Sequence, residues 1–119
     1  MNALKCALFR WYARYEARFP HNKGNYQLAQ FLYKIFGLAA FTIDSFKIEL
    51  NPIAAIDRAL ILGIKHDEIV SNYIEQMTGG SFLDVGANIG YFSIQAASKG
   101  YTVYAFEPSP RELLRFKQI

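Results

Sequence analysis

A single cysteine, Cys6, stands in the 119 residues. One thiol excludes an internal disulfide framework and fits a reducing compartment. Histidine is almost as scarce. His21 and His66 lie in turn-like segments without a second ligand at metal spacing, so the pattern holds no metal site. Long apolar runs are missing too. The longest, Ile35 to Ile43, is interrupted by Gly37 and follows Lys34, well short of the roughly 20 residues a spanning helix needs. The N-terminus has basic residues spread through it and no uninterrupted apolar stretch, which excludes a secretory signal. The expected location is the cytoplasm. No internal repeat, low-complexity run or long linker breaks the chain.

Apolar side chains, by contrast, are plentiful. The sequence is 52% hydrophobic and 16% aromatic, enough for one small domain with a core and too apolar for a disordered chain. The formal charge of +3 is unevenly placed. Residues 1–23 carry Lys5, Arg10, Arg14, Arg18 and Lys23 against Glu16 alone, whereas residues 24–119 carry eight basic and nine acidic groups. The basic character belongs to the N-terminal arm, and no nucleic-acid partner is expected. Residues 3–18 read as an amphipathic helix, with Leu4, Leu8, Trp11 and Tyr15 at helical spacing and an arginine every four residues from Arg10. Its charged side is either a solvated face or a contact with an anionic membrane surface or a partner.

After the turn formers Pro20 to Asn25, a second helix is expected over 26–36, its apolar residues Leu28, Phe31, Leu32, Ile35 and Phe36, with Gly37 as C-cap. The aromatics of both helices read as packing surface. At 45–50 the period changes to two, with Phe46, Ile48 and Leu50 alternating with Lys47 and Glu49 as in a half-buried strand. A short helix over 53–62 stops at Gly63. Another begins at an Asp67 N-cap and carries Ile69, Val70, Tyr73, Ile74 and Met77.

The segment 82–93, Phe-Leu-Asp-Val-Gly-Ala-Asn-Ile-Gly-Tyr-Phe-Ser, organises the rest. It reads as strand, glycine loop and helix, and a second strand, 102–106, follows and ends on Glu107-Pro108: the opening of a βαβ unit. Ser109, Pro110 and Glu112 then mark a helix start, with a capping box between Ser109 and Glu112. Gly86 and Gly90 suit a backbone at positive φ or close to a ligand, at the strand end where open α/β sheets bind ligands. The helix N-terminus beyond them offers free N–H groups to a carboxylate or phosphate. A dinucleotide site wants Gly-x-Gly-x-x-Gly, and the middle glycine is absent. Asp84 would also sit close to a pyrophosphate. A ligand with a cationic end welcomes that acid: S-adenosylmethionine carries an ammonium for Asp84 and a ribose for Glu107.

These residues, 82–93 together with Ala105-Phe106-Glu107-Pro108, resemble the start of the FkbM-family S-adenosylmethionine-dependent methyltransferases. Ile48 to Pro52, Asp57, Arg58 and Gly63 are similar to the region before that motif, so the resemblance runs from about Phe46 onward. It implies an α/β, Rossmann-like methyltransferase domain over 45–119, of which the first β-α-β-α is present, behind an N-terminal helical arm over 1–44 and one strand. It implies methyl transfer to a hydroxyl of a glycan, lipid or natural product, with Asp84, Gly86, Asn88 and Gly90 around the methionine end and Glu107 on the ribose. The family's sheet has seven strands, so the chain is expected to be a portion of such an enzyme, inactive by itself and without an assignable catalytic base. The competing expectation is a non-catalytic module that works through the basic helix.

Overall fold

The computed structural model describes residues 1–43 and 46–116. Ser45, where the alternating pattern begins, and the 44/45 division both lie outside those residues, as do residues 117–119. The described chain is mixed α/β, with six helices and two small sheets, and it forms two compact units, Met1–His66 and Asp67–Ile119.

In the first unit α1 (Asn2–Arg18) and α2 (Asn25–Phe36) precede two strands, β1 (Ala39–Ile43) and β2 (Phe46–Leu50), and a short helix, α3 (Ala55–Ile61). The strands pair antiparallel, Phe41 opposite Ile48. Strand β2 alternates as its sequence demands: Ile48 and Leu50 are buried, Lys47 and Glu49 exposed. Strand β1 is an addition, hidden in the sequence because Ala39, Ala40 and Phe41 continue the apolar run of α2. Asn2 extends the β1 ladder with a side chain. Its amide donates to the Ala40 carbonyl and accepts from the Ala40 N–H, both at 2.9 Å.

The core side of α1 is Phe9, Tyr12 and Ala13, with Leu4 and Trp11 exposed. This reverses the expected packing face. The helix carries two apolar stripes, and periodicity cannot choose between them. The buried one is the stripe that also carries Tyr12 Oη, whose hydrogen bond to the Asn25 carbonyl (2.8 Å) satisfies it inside. On α2 likewise Asn25, Ala29 and Leu32 are buried while Phe31 and Ile35 face out. Gly37 ends α2 at φ +65, as its position predicts.

Asn51 and Asp57 stitch β2 to α3. The Asn51 side-chain oxygen accepts the N–H groups of Ile53 (2.8 Å) and Ala54 (3.0 Å), and the buried Asp57 accepts the N–H of Asn51 at 2.9 Å. Arg58 donates to the carbonyls of Pro52 and Ile53 and pairs with Glu16 of α1 at 3.4 Å.

The second unit holds α4 (Glu68–Gln76), β3 (Ser81–Val85), α5 (Tyr91–Ser98), β4 (Thr102–Phe106) and α6 (Pro110–Phe116). Asp67 caps α4, accepting from Val70 N–H at 3.3 Å. Ser71 and Ile74 face inward from α4, whereas Ile69, Tyr73 and Met77, expected on its packing face, are exposed. Strands β3 and β4 are parallel, Asp84 opposite Ala105, so β3–α5–β4 is the βαβ unit the glycine pattern calls for. Helix α5 covers the face of Phe82, Asp84, Val103 and Ala105. The opposite face is bare: Leu83, Val85, Tyr104 and Phe106 all lie exposed, Val85 at 81%.

Candidate functional site

The loop from β3 to α5 takes its shape from three left-handed residues, Gly86 at φ +83, Asn88 at +53 and Gly90 at +81. Glycine adopts this region without a steric cost, and asparagine is among the few other residues that tolerate it. At Gly86 the conformation, rather than crowding, demands glycine: a Cβ there would meet nothing within 4 Å. The loop therefore leaves open space beside its first residue.

The Phe106 carbonyl, the last of β4, accepts two loop N–H groups, from Gly86 at 2.8 Å and Ala87 at 3.0 Å. Glu107 completes the clasp. Its Oε2 accepts the N–H of Asn88 at 2.6 Å and its Oε1 the N–H of Ser109 at 2.7 Å. Bonds from N–H to an ionised carboxylate are the stronger kind, about 1.5–3 kcal/mol net each. One carboxylate thus fixes both the glycine loop and the entry to α6.

The capping box expected at α6 does not form. Glu107 already holds the Ser109 N–H, and Glu112 turns to Arg111 (3.0 Å) and Arg115 (3.2 Å) instead. Two acids compete for one donor. Glu107, two residues before Ser109, holds its N–H at 2.7 Å.

Asp84 lies half-buried on the covered face of β3, where Ser93 Oγ of α5 donates to its Oδ2 at 2.6 Å. Ser93 is a residue that the motif spacing passed over. Its signal was present, one turn into the helix after Gly90 and so facing back to the strand end. Asp84, Gly86, Asn88, Gly90 and Glu107 are thus brought to one strand end, within or against one loop. Asn88 contributes its main-chain N–H to Glu107.

What remains available is chemically specific. Each carboxylate offers about four lone-pair positions. Asp84 spends one on Ser93, and Glu107 spends two on the backbone. Both can still accept from a ligand. Helix α5 begins at Gly90 with no side-chain cap, so its first N–H groups keep the partial positive charge of a helix start. Acids able to receive hydroxyls or an ammonium thus lie beside a helix start able to receive a carboxylate.

A separate cavity of about 300 Å³ belongs to the first unit, lined by Tyr12, Glu16, Asn22, Asn25, Tyr26 and Arg58 among others. Its charges are matched internally by the Glu16–Arg58 pair. Among the described residues no cluster of His, Cys, Asp and Glu could hold a metal ion, and no helix is long and apolar enough to cross a membrane. Compared with protein-family models, curated proteins and solved structures, the chain finds no match.

Proposed function

We propose that the β3–α5–β4 unit is the cofactor-binding start of a Rossmann-like, S-adenosylmethionine-dependent methyltransferase of the FkbM type, acting on a hydroxyl of a glycan, lipid or other small acceptor. The observation that carries this reading is the pairing of Asp84 and Glu107 around one glycine loop, with Glu107 gripping the loop backbone at Asn88. In this reading Glu107 receives the ribose hydroxyls on the lone pairs the backbone leaves free. Asp84 faces the ammonium, and the first turn of α5 receives the carboxylate. Gly86 admits the ligand because no Cβ fills the space beside it. When bound, S-adenosylmethionine supplies a methyl group on a sulfonium, open to attack by an acceptor oxygen. The chain's own contribution is to orient that cofactor, which is where much of the rate of an in-line displacement comes from.

Electrostatics separate this reading from a dinucleotide site. Asp84 and Glu107 together place two acids beside one glycine loop. At ~4 Å and an effective dielectric near 20, two unit charges interact by about 4 kcal/mol, attractive for an ammonium and repulsive for a phosphate. Calorimetric titration of the intact chain tests it. S-adenosylhomocysteine is expected to bind and NAD not to bind. Binding of NAD, or S-adenosylhomocysteine affinity unchanged when Asp84 and Glu107 are both replaced by their amides, overturns it.

A further inference from the structure

We propose that α1 lies along an anionic membrane surface, its outward stripe of Leu4, Trp11 and Tyr15 in the interface and its arginine ladder on the headgroups. The inference concerns the first unit alone and does not rest on the cofactor reading. Helix α1 buries Phe9, Tyr12 and Ala13. At 100° per residue Leu4 and Trp11 fall nearly opposite them, on one line two turns apart. Both are large, apolar and more than half exposed, at 55% and 53%. The Trp11 ring stacks on Tyr15 with centroids 5.9 Å apart and an interplanar angle of 12°, a flat aromatic plate of the kind that settles at a headgroup boundary.

Charge complements this stripe on one side. Arg14 and Arg18 are exposed beside it, and Arg10, next in the ladder, rests over the Phe41 ring at 5.4 Å. The only acid among residues 1–23, Glu16, is turned away into its pair with Arg58. The outward face therefore carries cations and no carboxylate. A merely solvated helix would not need its tryptophan and a leucine on the wet side, and an apolar stripe edged with arginines is what an interfacial helix presents. With 17 residues and charges along its length, α1 lies on a bilayer and does not cross it.

Trp11, the chain's one tryptophan, reports directly on this face. Full-length protein is mixed with vesicles of phosphatidylcholine, with and without phosphatidylserine, some carrying brominated acyl chains. Trp11 emission is expected to move to shorter wavelength and to be quenched by the brominated lipid only where phosphatidylserine is present, and to recover as salt is raised. The R14Q/R18Q double variant should bind about thirtyfold more weakly, from about 1 kcal/mol for each basic residue near the surface. L4E should lose the quenching while its circular dichroism stays native, since Leu4 is outside the core. No shift at low salt, a shift of equal size with neutral vesicles, or undiminished binding of natively folded R14Q/R18Q each overturns the proposal.

Discussion

Glu107 Oε2 and the backbone N–H of Asn88 meet at 2.6 Å, tying the end of β4 to the loop that leaves β3. The same carboxylate holds the Ser109 N–H. E107Q keeps the shape but turns part of the acceptor into an amide NH₂, which faces an N–H donor whichever way it is flipped. At least one charge-assisted bond is lost and one donor is left unmet, so E107Q should unfold about 1.5–3 kcal/mol more easily. Urea denaturation of the two proteins measures this. An equal midpoint would mean that the clasp does not hold the loop. Under the cofactor reading the variant also loses affinity for S-adenosylhomocysteine.

The Ser93–Asp84 bond makes a separable prediction. Ser93 is buried and donates at 2.6 Å to a half-buried carboxylate. S93A removes the donor and leaves the acid with its ligand-facing capacity intact. Stability should drop by about 1–2 kcal/mol, while under the cofactor reading S-adenosylhomocysteine still binds, because its ammonium would meet the same acid. D84N, in contrast, should abolish the binding with a similar loss of stability. If S93A and D84N affect binding alike, Asp84 serves the fold and not the ligand.

Elements were legible where local chemistry fixes them. Gly37, Gly86 and Gly90 take the positive φ their positions imply, Asp67 caps α4, and β4 spans the five residues its pattern marks. Legibility failed where two answers share one pattern. Helix α1 has two apolar stripes, and the sequence cannot say which meets the core. Strand β1 continues an apolar run without a turn signal of its own other than Gly37. At α6 two glutamates, Glu107 and Glu112, are near Ser109 in sequence, and only the folded chain shows that Glu107 takes its N–H. The residues of the candidate site could be named from the sequence, but the bonds between them could not. That Glu107 serves the loop, and that Ser93 serves Asp84, are facts of three-dimensional distance.

The bare face of the β3–β4 pair has a consequence in solution. Leu83 lies opposite Tyr104 and Val85 opposite Phe106, all exposed on one side of a parallel pair. Parallel sheets are ordinarily covered on both faces, and an uncovered apolar face invites association. V85K places a charge at the most exposed of the four and removes little buried area, so fold stability should change by less than about 0.5 kcal/mol. Self-association followed by sedimentation, and binding of an apolar dye, should both fall. A V85K protein that fails to fold would mean that this face is covered within the molecule.

Tyr12 gives the chain a pH dependence with a definite sign. Its phenol is held above the ordinary value of 10.0, chiefly by burial and further by Glu16 and Tyr15, against an opposing pull from Arg58. The folded state therefore holds the Tyr12 proton more tightly than the unfolded chain does. Its contribution is complete below pH 10.0, the unfolded value, and is lost as pH rises toward and through the raised folded value. Y12F removes the titrating group along with the hydrogen bond to the Asn25 carbonyl, leaving that oxygen without its donor. At neutral pH Y12F should be less stable by about 1–3 kcal/mol. Above pH 10 the wild-type protein should lose stability more steeply than Y12F, so the gap between them narrows. Thermal denaturation of both proteins on either side of pH 10 tests the sign, and a gap that stays constant or widens with alkalinity would show that Tyr12 ionises without cost to the fold.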